Sequence, residues 1–599
     1  MNDTKRSYRK LKLRARRSFR KQKKQVEKAA VEADNSVEKL VFKRIHRLVP
    51  VRRFVAVWIS LVLLIGLGAV WQVRGLDEYY LELEPTNGGV YREGLLGSFT
   101  TSNPLFASTV ADVSVSRLVF SGLFQLSPDG SLQPDLATGY TVDERALVYT
   151  VKLRNDVVWH DGDPFDADDV MFTYQKIKSS DVGSPLFSSW RDVVVSQIDQ
   201  YTVSFTLPNV LASFHYSLTN GIVPSHILGS VEEADLRSSL FNTESAVGTG
   251  PFMFESVEVV GTVRSEFQEK VSLQTNENYH RVPALIDGVV IRTYGDEDSL
   301  VAAFEEQEIT SMVGLRELPE NIANDATVQS FSTPLLSSVM LFMNNSNDIL
   351  SDKNVRRAIV QATNTDGLRQ MLNYQLIESD SPFLRSHFAH DEAKVQLPYN
   401  IDAARQLLDE AGWAIRSNGK REKDGQSFKL RLVSQSLSEY SAIVQGLQQQ
   451  WSEIGLEVEA VLQPEEEIQT GAVSLHDYDV LLYGVSIGPD PDVFAYWHSS
   501  QFDERLQARF NLSEFKNDAA DEALEAGRTR LDEDLRSVKY EPFLDAWRDD
   551  APAIAIYQPR FLFVARGTLD GYLSGQFESP SDRYFSITDW RVRSEKTIK

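Results

Sequence analysis

The sequence predicts a large α/β body behind one N-terminal transmembrane helix. Three observations carry that expectation: a run of twenty uncharged residues from Phe54 to Val73, an early stretch of alternating apolar residues around 147–207, and a strand–helix–strand succession over 428–462. The first points to a membrane span, the second to half-buried β-strands, the third to a βαβ unit with parallel strands.

Length and composition bound what the body can be. The chain has 599 residues, 42% hydrophobic and 25% charged, enough to bury several domain-sized cores. There is no cysteine, which excludes disulfides, thiolate metal sites, cysteine nucleophiles and a lipoprotein anchor. The net charge of −23 is unevenly spread. Residues 1–53 hold 19 Lys and Arg against 5 Asp and Glu, a net of +14, so the chain from Phe54 onward carries −37.

The uncharged run, FVAVWISLVLLIGLGAVWQV, is long enough as a helix to rise about 30 Å and cross the hydrocarbon core. Arg52 and Arg53 abut its start, and Trp71 lies near its end, where aromatic rings favour the interface. The basic excess before the run places the N-terminus in the cytoplasm and the body outside. A cleaved signal peptide would need a shorter basic region and a small-residue cleavage site, neither of which is present. The run therefore reads as an uncleaved signal anchor. The preceding tail, rich in Lys and Arg, reads as a cytoplasmic segment held near anionic head groups rather than as a nucleic-acid site.

Beyond a short tether at 74–87, Leu147, Tyr149, Val151 and Leu153 alternate with polar residues, as do Val203, Phe205 and Leu207, and Asp199-Gln200 suggests a hairpin. Further on, Asn400 or Asp402 caps a predicted helix that stops at Gly412. The strand FKLRLVS, a helix ending at Gly455 and the strand LEVEAVL make the βαβ unit, with YDVLLYGV as a further apolar strand, central in the same sheet.

The motifs speak against catalysis. WHDGDPFDADDV (159–170) packs one His and five Asp into twelve positions, but Phe165 stands where a calcium loop needs a ligand. The stretch reads instead as a turn, then a helix capped by Asp166 with Asp168 and Asp169 in its first turn. GTGPF (248–252) is too short for a phosphate loop and reads as a tight turn before a strand. No hydrolase, zinc-protease or phosphate-loop signature occurs, so no catalytic residue, metal ligand or cofactor is expected. The loop SIGPDPDVFAYWHSSQ (486–501) follows an apolar strand directly. Ligands of open α/β sheets lie at the carboxyl ends of strands, which makes Asp490, Asp492, Tyr496, Trp497 and His498 binding candidates.

The order of segments resembles the peptide/nickel class of extracytoplasmic solute-binding proteins, solute-binding family 5, which serve ABC importers. The resemblance rests on SNPLFAS and the long run SRLVFSGLFQLSPDGSLQPDLATGYTVDERALVYTVKLRNDVVWHDGDPFDADDVMFTY. GTGPF, VRRAIVQATNTDGL, YNIDAARQLLDEAGW and YDVLLYG…PDPD follow in order, covering about residues 88–565. It implies a two-lobed, periplasmic-binding-protein-like (Venus flytrap) fold with an extra β-rich subdomain. Lobe I would comprise 88–131 and 246–331, the subdomain 132–245, lobe II 332–552, and 553–599 would return to lobe I.

It further implies capture of an oligopeptide or similar small solute between closing lobes, with delivery to a permease and its ATPase subunits. No nucleic-acid partner is expected, and a monomer is expected. Its ligand-binding positions would be Ser108, Thr109, Val110, Tyr483, Gly484 and Val485, which pair with a peptide backbone, together with Asp490, Asp492, Trp497 and His498. Many peptide-binding members carry an aspartate for the ligand's α-amino group where this chain has Ile487. Either Asp490 or Asp492 takes that role, or the ligand is not a free-amine peptide. A non-peptide solute such as an oligosaccharide or metal chelate is the alternative within the class, and a surface hydrolase the alternative outside it.

Overall fold

The computed structural model describes residues 52–261, 268–372, 374, 376–503 and 509–598; within these, the side chains of residues 52, 55, 73–81, 466 and 598 fall outside the description. The basic tail, up to residue 51, lies outside the described residues. The chain divides into two units, residues 1–84 with 595–599, and residues 85–594.

In the first unit the apolar run lies within a helix of 29 residues, Arg52–Tyr80. Its large side chains are uncovered, from Phe54 at 66% through Leu64 at 67% to Trp71 at 83% exposure. Among the described residues, no helix is long and apolar enough to cross a membrane. The residues expected as a tether are regular structure: the helix runs on to Tyr80, and the strand Leu81–Thr86 pairs with Arg593–Ile598. The extension runs through Gly75, a poor helix former, and no proline interrupts residues 75–80.

The second unit is built on two large sheets. The first has seven strands in the order Val328–Pro334, Arg560–Arg566, Ser311–Val313, Val90–Leu96, Gly288–Tyr294, Gln268–Thr275 and Phe252–Val260. Val90–Leu96 runs parallel to both neighbours, while the outer pairs are antiparallel. Attached to this lobe is a four-stranded antiparallel sheet, Ala137–Val142, Val148–Leu153, Thr202–Thr206 and Val194–Asp199. The last two form the hairpin expected at Asp199-Gln200. The helix Ala167–Ile177 is capped by Asp166 with Asp169 completing a capping box, so the acidic stretch is used as read. Asp169 also accepts bonds from Trp159 Nε1 and Ser225 N, at 3.0 and 2.8 Å.

The second sheet has six strands in the order Ile377–Glu378, Ala553–Gln558, Ser337–Met343, Val480–Ser486, Lys429–Gln435 and Glu457–Gln463. The βαβ unit is present, with Lys429–Gln435 and Glu457–Gln463 parallel around the helix Ser438–Ser452. Both faces are covered. Val339, Leu341, Leu432 and Leu482 enter one apolar cluster, and Met340, Phe342, Val433 and Leu481 the other. This explains why these strands read as unbroken apolar runs.

The chain crosses between the sheets twice, at Leu335–Leu336 and at Pro559, and the strand Ala553–Gln558 still belongs to the second sheet. The crossings lie side by side, with Leu335 N bonded to Pro559 O at 3.0 Å and Gln558 Nε2 to Leu335 O at 2.8 Å. Two adjacent extended connections of this kind can absorb backbone rotation while each sheet stays rigid.

Candidate functional site

The cleft between the lobes has a volume of about 570 Å³ and is lined by Val110, Gly314 and Arg316 from the first lobe and by Leu437, Tyr483 and Gly484 from the second. Its second-lobe wall arises from a divergence of strands. Val480–Ser486 pairs with Ser337–Met343 along its whole length, from Val480 opposite Met343 to Ser486 opposite Ser337. Its other neighbour, Lys429–Gln435, pairs with it only from Leu432–Val480 to Ser434–Leu482. Gln435 stays with Gln463, and the chain then turns into the helix Ser438–Ser452. From Tyr483 to Ser486 one strand edge therefore has no strand beside it among the described residues; Tyr483 and Gly484 line the cleft, and the last carbonyl, Ser486 O, accepts from the Tyr496 hydroxyl.

Gly484 sits in the middle of that edge. A Cβ there would stand 3.1 Å from the Tyr440 hydroxyl. Burial pushes the Tyr440 phenol up, so the hydroxyl remains neutral under the wall. Val485 is 5% exposed and enters the core on the far face of the sheet.

The opposite wall is the start of the helix Val110–Val119. Thr109 caps it, accepting from Asp112 N at 3.0 Å and donating to Ser98 O at 2.9 Å. The cap fixes the backbone of Ser108 and Val110, both exposed. An ion pair spans the cleft, Arg316 Nη2 to Glu439 Oε1 at 3.4 Å, with Glu439 nearly buried and also accepting from the Tyr374 hydroxyl.

The remaining candidates are engaged inside the protein. Asp490, 8% exposed, holds Arg536 through two bonds of 2.7 and 2.6 Å. Asp492 accepts from Arg528 Nη2 at 3.1 Å and from Ser213 Oγ at 3.3 Å, linking the loop to the β-rich subdomain. Trp497, 1% exposed, packs on Phe342 and Trp547. His498 stacks on Phe494 at 4.1 Å and accepts from Ser500 N. None of the four lines the cleft. Among the lining residues that motif reading passed over, Leu437 and Tyr440 follow the carboxyl end of the strand Lys429–Gln435. The crevice rule applied to that strand as well would have found them.

Comparison with known proteins agrees with this geometry. Residues 131–504 match the model for bacterial extracellular solute-binding proteins, family 5. The chain is 27% identical to the oligopeptide-binding protein AppA of Bacillus subtilis over 524 residues, covering 85% of this chain and 92% of that one. The structure of that AppA in complex with a nonapeptide superposes with a TM-score of 0.71 at 24% identity, over 85% of this chain and all of the other. Campylobacter jejuni NikZ in complex with Ni(L-His) superposes equally well, with a TM-score of 0.71 at 25% identity over 84% of this chain and 99% of that one. By sequence and by fold, the chain belongs to the bacterial extracellular solute-binding proteins of family 5.

Proposed function

We propose that this chain is the substrate-binding subunit of an ABC importer, capturing extended oligopeptides between its lobes for a permease and its ATPase subunits. The observation that carries the reading is the unpaired strand edge Tyr483–Ser486 in the wall of the cleft. An edge of this kind accepts an extended chain through backbone hydrogen bonds, independently of side-chain sequence. Ser108–Val110 face the ligand from the other lobe, and Tyr483, Gly484 and Val485 pair with it. Asp490, Asp492, Trp497 and His498 shape the wall without touching the ligand, since each is engaged within the protein. The name of the AppA relative supports a peptide as the ligand. The work is capture and release by lobe closure about Leu335–Leu336 and Pro559, with no covalent step.

The helix Arg52–Tyr80 anchors the protein in a membrane. Twenty uncharged residues span about 30 Å, their large side chains are uncovered, and the positive flank keeps the N-terminus inside. The body then stands outside as a monomer.

Two experiments test this reading. Mass spectrometry of material that co-purifies with the protein should find peptides, and a sugar or a metal chelate there would replace the peptide assignment. Protease added to intact cells should digest the body, and a protected body would overturn the topology.

A further inference from the structure

The segment after the first lobe's last large strand returns to the crossing between the lobes. Phe577 N donates to Pro334 O at 3.0 Å, and Leu336 N donates to Phe577 O at 2.7 Å. The same Leu336 accepts, through its carbonyl, from Ile487 N at 2.9 Å and Gly488 N at 3.0 Å. One residue thus holds two things together: the turn that ends the open strand edge, and the segment carrying Glu578.

Gly488 has φ +81, and a Cβ on it would lie 3.7 Å from Glu578 Oε1. The glycine permits the turn and leaves space beside the carboxylate. Glu578 donates its backbone N–H to Asp582 at 3.0 Å. Among the described residues, its carboxylate has no hydrogen-bond partner. The carboxylate is reachable from a cavity of about 250 Å³, which Val113, Arg117, Glu578 and Asp582 help to line. Arg117 Nη2 in that wall is shielded from solvent and likewise lacks a partner. The cavity lining holds three carboxylates, Asp135, Glu578 and Asp582, against two guanidiniums, Arg117 and Arg281, so it carries a surplus negative charge when all three acids are ionised.

We infer that Glu578 receives the ammonium group of the ligand, most simply the amino terminus of an extended peptide. A chain lying antiparallel on Tyr483–Ser486 begins opposite the end of that strand, beside the Gly488 turn, where this carboxylate is free. Ile487, the side chain next to the turn, is apolar and offers an ammonium nothing. Asp490 and Asp492 are held by Arg536 and Arg528. The proposal rests on the peptide reading and adds to it the group that recognises the free amine. The Glu578 side chain is open to solvent, yet the protein crowded around it, and then Asp582, push its acid up to about 7, with Arg117 opposing. A cation supplied by the ligand is the partner that stabilises the ionised form.

The test uses the full-length chain in detergent with two probes, a randomised pentapeptide library bearing free amino termini and the same library N-acetylated. Wild type should retain the free-amine library at least about tenfold better near pH 8. Glu578→Gln should reduce that preference to under about threefold, leave retention of the acetylated library unchanged, and leave thermal unfolding unchanged; Glu578→Asp should keep part of the preference.

A second measurement needs no variant. The groups facing Glu578 are Asp582, Arg117 and Tyr496. As Glu578 takes up a proton, the wild-type preference should shrink on going from about pH 8 to about pH 5.5. Equal retention of both libraries by wild type, a preference that survives in Glu578→Gln, or a flat pH profile overturns the assignment. If neither library binds wild type, the peptide reading itself fails and the anchor with it, an outcome distinct from binding without amine preference.

Discussion

Two adjoining stretches of the second lobe, the strand end Tyr483–Ser486 and the loop Ile487–His498, treat their polar groups in opposite ways. The strand end carries no charged side chain, and its backbone edge opens to the cleft at Tyr483 and Gly484, closing only at Ser486 O, which accepts from the Tyr496 hydroxyl. The loop is rich in acids and aromatics, and its prominent side chains are consumed by the protein, Asp490 by Arg536 and Trp497 by the core. A side chain rich in chemistry is thus as apt to brace a binding wall as to form it. The groups free for a ligand are those the fold leaves without partners.

The comparison breaks most clearly at Asp490. Removing this carboxylate leaves the Arg536 guanidinium, 4% exposed, without its counter-charge. Asp490→Ala should therefore cost about 3–5 kcal/mol of stability, read from denaturant unfolding. Asp490→Ala with Arg536→Met should recover most of that loss. If Asp490→Ala instead unfolds like wild type and loses only ligand, the bracing role is wrong.

Acid should act next most strongly, through two histidines, His387 buried and His160 half-buried. His387 donates to Gly488 O and accepts from Leu384 N, and His160 is bonded to Gly250 O and Gly248 N in the same manner. Burial lowers both from about 6.5 to about 4. Between these values the unfolded chain binds a proton that the folded protein refuses, so unfolding takes up protons. Stability is complete above about pH 6.5 and declines as pH falls toward 4, by up to about 3 kcal/mol per histidine. His387→Gln should flatten part of that decline in a series of unfolding curves. A decline identical to that of wild type would remove His387 from the account.

The strand edge itself is tested at Gly484. Gly484→Val brings a Cβ to 3.1 Å from the Tyr440 hydroxyl and branched methyls to the pairing edge. Binding should weaken about tenfold or more, equivalent to about 1.4 kcal/mol, with a smaller change in stability. Calorimetry and thermal unfolding on the same sample separate the two effects, and unchanged affinity would move the ligand off this edge. The smallest effect is expected at Arg316, whose ion pair with Glu439 crosses the cleft with Arg316 42% exposed. Arg316→Ala should change stability by less than about 1 kcal/mol. A larger loss would mean that this pair holds the lobes together.

Several features were legible in the residues. The hairpin around Asp199-Gln200, the Asp166 cap and the βαβ unit each follow from short-range pattern, because periodicity and capping act over a few residues. Tyr483 and Gly484 were named from the resemblance, and Val110 likewise; all three line the cleft. Glu578 was not found, since nothing around it resembles a motif and its neighbours Gly488 and Arg117 lie 90 and 461 positions away.

By itself the sequence determined the α/β alternation, the β-rich early part, the uncharged helix-length run and the ordered segments that place the chain in its family. These are properties of neighbouring residues, and local propensity and patterning encode them directly. Only the tertiary structure decided which polar groups remain free. Asp490 meets Arg536 across 46 positions, and Glu93 meets Arg583 across 490. A buried charge takes whichever counter-charge the fold brings within hydrogen-bond reach. That choice depends on packing between distant segments, so no local pattern distinguishes a carboxylate that is consumed from one, like Glu578, that is left open to a ligand.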